Sequence, residues 1–323
     1  MRGSVLLLAA ALLFVPAAGA RPHALARSVA IFYYPWYGTP ATDGAWQHWQ
    51  QNGHTPPNDL ATRFYPARGA YSSSDGRIVA AQMRDLAQAG VGEVVSSWWG
   101  RGSQEDLRLP LVIRSARAVG VRVAAHLEPY PGRTVAGTAT DIAYLRTLGI
   151  TDFFVYHATD FTAAEWKPVT AALSGVRLFA QTPLVGFARD AGFDGVYTYD
   201  IVTSGARIFA RVCAEAHKAG LLCAPSVGPG YDARRATTDT RVKPRDDGKT
   251  YDAMWTSALR AHADLVTITS YNEWLEGTQI EPAAAHLGYA SYDGAWGAHG
   301  RAAQSAYLAR TRYWAAKTST LHP

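Results

Sequence analysis

Cysteine is nearly absent from this chain: among 323 residues there are two, Cys213 and Cys223. So few thiols exclude a small disulfide-built scaffold and a Cys-rich zinc module. Beyond the first twenty residues no run is long and apolar enough to cross a bilayer. No G-x-S-x-G elbow marks a serine hydrolase. Gly228-Pro229-Gly230 lacks the Lys and the longer Gly spacing of a phosphate cradle. His126 and Glu128 are metal-ligand types, but no third ligand stands at a recognisable spacing, so neither a metal nor an organic cofactor is expected. Charge is mixed, 31 Lys plus Arg against 26 Asp plus Glu, with no basic stripe that would argue for nucleic acid. The one local run is Arg234, Arg235, Arg241, Lys243 and Arg245. It reads as a solvated loop face, with one Arg in a ligand site as the sharper alternative.

The N-terminus is not part of a folded core. Arg2, the apolar stretch from Val5 to Val15 and Ala18-Gly19-Ala20 have the order of a secretory signal, which predicts cleavage after Ala20 and export. An uncleaved anchor is the alternative, although the apolar run is short for a full span. After cleavage no membrane association is expected. Cys213 falls in a helical pattern and Cys223 in the strand that follows, so a disulfide and two buried thiols are both open.

From residue 28 onward strand and helix patterns alternate. Strand-like runs fall at Val29–Tyr34, Gly92–Ser97, Val121–Leu127, Asp152–Tyr156, Arg177–Gln181, Gly195–Tyr199, Leu221–Ser226 and Leu265–Thr269. Amphipathic stretches lie between them, and Gly90, Gly120, Gly149 and Gly220 stand where a helix would be capped. A last helix is expected at about Ala302 to Ala316. Eight such strands predict a single-domain (β/α)8 TIM barrel over residues 21–323. Thr39 to Ser74 and Gly228 to Lys249 are long inter-element segments, and loops after strands build the functional face of a barrel.

Polar and aromatic residues gather at the C-terminal ends of the expected strands: Tyr34 and Trp36, Trp98 and Trp99, His126 and Glu128, Tyr197 and Tyr199. The last strand continues into ITSYNEWLEGTQIEP, which supplies Asn272, Glu273 and Glu276 within five residues. Two carboxylates at the end of a buried strand, beside a Trp, are equipment for breaking a glycosidic bond. One protonates the departing oxygen and the other acts on the sugar side. A solvated i, i+3 pair at a helix start is the plainer reading of the same residues. Ten Trp and seventeen Tyr favour the first, because aromatic faces suit the apolar faces of sugars.

NEWLEGTQIE resembles the signature of the glycoside hydrolase family 99 endo-α-mannosidases, NEWHEGTQIE. FYYPWYG, DGAWQHW, SSWWG, HLEPY, GFDGVYTY and PSVGPGY resemble the same family in the same order, so the likeness runs from about residue 28 to 283. It implies a (β/α)8 barrel that cuts internal α-mannosidic bonds with retention and without a cofactor. It also implies that Glu273 takes the proton of the substrate's own 2-hydroxyl, which closes on C1 as a 1,2-anhydro sugar. Glu276 would protonate the leaving oxygen and then activate water. The resemblance implicates His126, Tyr199 and Asn272 in holding the mannose, His48 in the wall of the site and Arg235 in reaching substrate hydroxyls. Trp99 matches the bacterial type, which favours mannose over glucose beyond the cut. Leu275 replaces the family's His, and is expected to give Glu276 an apolar neighbour that raises its pKa. Tyr34, Glu128 and Tyr197 complete the expected sugar site. The expected substrate is α-mannan or a high-mannose oligosaccharide, and the expected state a secreted monomer. A non-catalytic polysaccharide-binding barrel, or a family-99-like protein that builds cell-surface polysaccharide, are the alternatives.

Overall fold

A computed structural model describes residues 26–318; the expected export signal lies outside the described residues. The strand runs expected from the pattern form a parallel sheet: β1 (Ala26–Tyr33), β2 (Val91–Trp98), β3 (Arg122–Leu127), β4 (Asp152–Val155), β5 (Arg177–Gln181), β6 (Gly195–Tyr197), β7 and β8 (Val266–Ile268). Strand β7 is broken at Pro225 into Leu222–Ala224 and Ser226–Val227. Its first part pairs with β6 and its second with β8, while β8 also pairs with β1. That break turns nine paired runs into eight strands and closes the sheet into a barrel. Proline has no N–H to give to a ladder, so the interruption falls where the chain changes partner.

Helices α1 (Gly76–Gln88), α2 (Gln104–Arg117), α3 (Val135–Thr147), α4 (Ala163–Ala172), α5 (Val185–Ala191), α6 (Phe209–Lys218), α7 (Lys249–Arg260) and α8 (Ala306–Thr318) surround it. Helix α5, at seven residues, is too short to show a clear 3.6-residue period. Helix starts carry side-chain caps: Asp75, Ser103 and Thr134 accept from backbone amides, and Thr162 with Glu165 forms a capping box. Gly90, Gly120, Gly149 and Gly220 all lie at φ between 72° and 88°, the left-handed region that lets a helix end and turn into the next strand.

The barrel interior is layered. At its floor Arg122 sits between Glu93 (3.3 Å) and Asp152 (3.4 Å), and Arg177 closes on Asp152 at 2.5 Å. Above that ring Phe32, Val95, Ala124, Phe154, Phe179 and Ala224 fill the middle, with Phe154 stacked on Phe179 at 4.8 Å. The upper layer turns polar and aromatic, as an open C-terminal face requires. A separate apolar core joins the outer faces of the strands to the helices.

Three long connections rise over that face. Two are the segments expected to be long. The third, residues 269–305, carries the NEWLEGTQIE motif, and its length had no periodic signal. Ala283–Ala284 of this connection pairs antiparallel with Tyr65–Pro66 of the first. The second folds into a hairpin, Tyr231–Asp232 against Val242–Lys243.

Cys213 of α6 and Cys223 of β7 are joined by a disulfide, which settles the alternative left open by spacing. Closing a ten-residue separation should contribute about 2–3 kcal/mol through the unfolded state. Replacing both Cys213 and Cys223 with Ala should lower the urea midpoint by a corresponding amount, and reductant should add nothing to that variant. An unchanged midpoint would show that the bond does not form in solution.

Candidate active site

The chain leaves β8 through a cis peptide between Thr269 and Ser270, and the motif folds back on itself. Ser270 Oγ accepts from the Glu273 amide and bonds Thr278 Oγ1, while Ile280 N donates to the Ser270 carbonyl at 3.0 Å. Within this closed loop each motif residue faces a different partner. Asn272 Oδ1 accepts from Tyr34 N (2.8 Å), and its Nδ2 donates to Tyr34 O (2.9 Å) and Tyr71 Oη (3.3 Å). Both amide protons are thus committed, one to Tyr34 just past β1 and the other to Tyr71 in the loop that follows. Asn272, expected to touch sugar, instead fixes where Tyr34 stands. Leu275, expected beside Glu276 as an apolar neighbour, packs against Ala61 and Ala236. Gly277 has φ +65°, and a Cβ there would lie 3.0 Å from the Asp232 carbonyl oxygen.

The motif's three glutamates have three different environments. Glu281 is fully buried and accepts four hydrogen bonds: Arg68 Nη1 (3.1 Å), Gln82 Nε2 (2.9 Å), Tyr71 Oη (2.7 Å) and Trp274 Nε1 (2.9 Å). It is a structural carboxylate. Glu273 is 3 % exposed, yet its Oε1 has no hydrogen-bond partner. Burial, then the charges of Glu276 and Glu128, push its pKa well above the usual carboxylate range, against the pull of the Leu275 and Glu276 amides. Glu276 lines a cleft of about 90 Å³ with Tyr156, Tyr199, Asp200, Tyr231 and Arg241. Burial, followed by Asp200 and Glu128, pushes its pKa up to about 7, and Arg241 opposes the rise. Carboxyl groups so grouped do not all ionise together, so the cluster retains a proton near neutral pH. A larger cavity, about 310 Å³, lies at the barrel floor beside Glu93, Arg117 and Arg122, at the end of a barrel where residues serve stability.

Opposite the motif, strand ends supply an aromatic and polar wall. Trp99 Nε1 donates to Ser97 Oγ (3.1 Å), which donates to Glu128 Oε1 (2.8 Å). That same oxygen lies 2.9 Å from His126 Nδ1, in poor alignment for a hydrogen bond, and His126 Nε2 meets Tyr197 Oη at 2.9 Å. His126 stacks on Tyr199, whose hydroxyl is hydrogen-bonded to that of Tyr34. Tyr34 is raised in pKa first by burial, then by Glu128, Glu273 and Glu276 together. Four separate strands therefore converge on one electrostatic site.

The other two expected residues, His48 and Arg235, lie on the two long loops. His48 stacks on Trp36 at 4.5 Å and 9°, and burial with the Arg108 charge lowers its pKa to about 4. It is therefore a neutral ring beside Trp36. Arg235 donates to Asp59 Oδ1 (2.6 Å) and the Leu60 carbonyl (3.1 Å) and lies over Tyr289, so it braces loops. The Arg of this run that lines the Glu276 cleft is Arg241. Tyr156, Asp200 and Tyr231 were also missed as site residues. Tyr156 ends an expected strand and Asp200 directly follows one, which was their one available signal.

The contrast between satisfied and unsatisfied glutamates is testable. Glu281→Ala leaves Arg68 and Gln82 without their buried acceptor and should cost about 3–5 kcal/mol in a urea melt. Glu273→Gln removes a carboxylate whose Oε1 is unmet and should leave the midpoint unchanged or raise it. Equal losses in the two variants would contradict this division.

Residues 24–320 match the sequence profile of glycosyl hydrolase family 99. A mouse glycoprotein endo-α-1,2-mannosidase is 29% identical over 359 residues, covering 89% of this chain and 74% of the mouse protein. The Xenopus laevis protein of that name is 30% identical over 336 residues, covering 81% and 72%. The solved family 99 endo-α-mannosidase of Bacteroides thetaiotaomicron superposes with a TM-score of 0.83 at 30% identity, over 93% of this chain and 99% of the other. A cyclic maltosyl-maltose hydrolase from Arthrobacter globiformis shares the fold alone, at 12% identity and a TM-score of 0.51. With the profile matched over nearly its whole length and a single barrel presenting carboxylates at its strand ends, this chain is a glycoside hydrolase and belongs to family 99.

Proposed function

We propose that this enzyme is a retaining, endo-acting α-mannosidase that cuts internal α-1,2-mannosidic bonds of α-mannan or high-mannose glycans. One observation carries the reading: a buried carboxylate oxygen, Glu273 Oε1, lacks a partner beside a second carboxyl, Glu276, whose pKa is near 7. An unmet buried acceptor is costly by itself, and a sugar hydroxyl is a fitting donor. The relatives' names, endo-α-1,2-mannosidase and endo-α-mannosidase, support the substrate class.

In the proposed reaction Glu273 accepts the proton of the mannose 2-hydroxyl as that oxygen closes on C1 and the glycosidic bond breaks. Glu276 gives its proton to the departing oxygen. In the second step Glu276 takes a proton from water, whose oxygen opens the 1,2-anhydro ring at C1, and Glu273 returns the proton to O2. Two inversions at C1 leave the configuration retained. With the cluster's retained proton on Glu276, the ionised Glu273 is by its raised proton affinity a stronger base toward an alcohol, and the incoming hydroxyl supplies the hydrogen bond that its carboxylate lacks. A pKa near 7 lets Glu276 both give and regain a proton, with the acid form lost as pH rises through that value. Trp99, fixed by Ser97, presents the surface that favours mannose beyond the cut. The buried disulfide supports folding in an oxidising compartment, consistent with export after cleavage near Ala20, and the enzyme is read as a monomer acting on glycan alone.

Incubating the chain lacking residues 1–20 with yeast α-mannan should release a mannose disaccharide, resolved by chromatography. Glu276→Gln should reduce that release by about 10²–10⁴-fold without weakening binding. Mannan bound by wild type but left uncut would instead make the barrel a binding module. A substrate with 2-deoxymannose at the reacting position should resist cleavage, and its efficient hydrolysis would refute participation by the 2-hydroxyl.

A further inference from the structure

The hairpin after β7 is fastened to the catalytic loop through main-chain atoms. Asp232 N donates to the Glu276 carbonyl at 2.8 Å. Arg245 Nη2 donates to the carbonyls of Gly277 (2.9 Å) and Gln279 (2.7 Å), and its guanidinium lies 4.5–4.8 Å from the rings of Phe64, Tyr292 and Tyr307. Because Gly277 has no Cβ, the Asp232 backbone can approach it closely. The hairpin therefore has a set position relative to Glu276.

On that hairpin Arg241 is aimed by its neighbour. Its Nη2 reaches Asp239 Oδ2 at 2.6 Å and its Nε lies 3.1 Å from Asp239 Oδ1, while Tyr231 Oη donates to Asp239 at 2.8 Å. Its Nη1 points to the loop after β6, 3.8 Å from Asp200 Oδ2, and it lines the cleft that holds Glu276. The charged and titratable groups facing Glu276 come from every side. They are Asp200 and Tyr199 after β6, Glu128 after β3, Tyr156 after β4 and Tyr34 after β1, with Glu273 on its own loop and Asp239, Tyr231 and Arg241 on the hairpin. Among these groups Arg241 is the cation, set against four carboxylates.

We propose that Arg241 is a positioning residue for Glu276: carried by the hairpin and aimed by Asp239, its charge keeps that carboxyl able both to release and to recover a proton. This inference rests on the reading of Glu276 as the acid/base. Without a cation, the surrounding carboxylates would hold the proton too tightly for transfer to a leaving oxygen. A cation bound directly to Glu276 would ionise it and leave no acid. Arg241 meets the intermediate need, because its charge is shared with Asp239 and Asp200 before it reaches Glu276. None of the other basic residues of the run lines this cleft.

The test follows the carboxyl itself. With ¹³C-labelled glutamate, the Glu276 resonance is assigned by its loss in Glu276→Gln and titrated by NMR. Arg241→Gln should raise its midpoint by about 0.5–1 pH unit. Arg241→Lys should return it to near the wild-type value, and Asp239→Asn, which frees the guanidinium, should lower it. The alkaline limb of kcat/KM on mannan should move with these midpoints; a merely structural role would lower kcat/KM at every pH and leave the limb in place. A Glu276 midpoint that stays fixed or falls in folded Arg241→Gln overturns the proposal. Should the wild type prove inert on mannan while the midpoints move as stated, the mannosidase reading fails and the electrostatic role of Arg241 stands.

Discussion

The carboxylate of Glu281 is the contact on which the rest of the site depends. It is buried with no exposed surface, and four donors from three parts of the chain end on its two oxygens. Arg68 and Tyr71 come from the loop after β1, Gln82 from α1, and Trp274 from the catalytic loop itself. Arg68 continues to Asp85 at 2.7 Å, which also accepts from Tyr271, and Gln82 accepts from Tyr33. A charge at that depth is tolerable only when so fully met, and once met it allows little variation in geometry. The loop carrying Glu273 and Glu276 is held to the barrel by this network, and Asn272 fastens the same loop to Tyr34.

Against that rigid background the unmet groups gain meaning. Glu281 stands eight positions after Glu273, yet Glu273 has an oxygen without a partner while each oxygen of Glu281 accepts two hydrogen bonds. At the barrel floor Asp152 is held by two arginines, and Arg122 also reaches Glu93, whose Oε2 is buried without a hydrogen-bond partner and whose pKa burial and the Asp152 charge push up to about 8. Glu273 and Glu276 lie instead at the open C-terminal face, crowded by other carboxyls, and their elevated proton affinity is a property of the folded state.

Much of the barrel was legible in the sequence, since strand and helix periods are local and the closing glycines carry their own backbone requirement. Strand ends also announced the wall, because residues two apart on a strand share a face: His126 with Glu128, Tyr197 with Tyr199. Helix α5 escaped for lack of length. Arg235 and Arg241 could not be told apart, because both sit in a loop without periodicity; only folding sends one to Asp59 and the other to the cleft. The resemblance implicated Asn272 in holding the mannose, and an amide reads the same in sequence whether its partner is a sugar hydroxyl or, as at Tyr34, a neighbouring backbone.

By itself the sequence determined the alternation of strands and helices, the family signature and the identity of the carboxylates at the end of β8, all of which depend on residue type and short-range spacing. Tertiary structure alone decided which of Glu273, Glu276 and Glu281 has both oxygens satisfied and which has an oxygen left unmet. That choice depends on donors up to 213 residues away, such as Arg68, and on how deeply each carboxyl is removed from water. Proton affinity and hydrogen-bond satisfaction are properties of an environment, and the environment exists only once the barrel has closed.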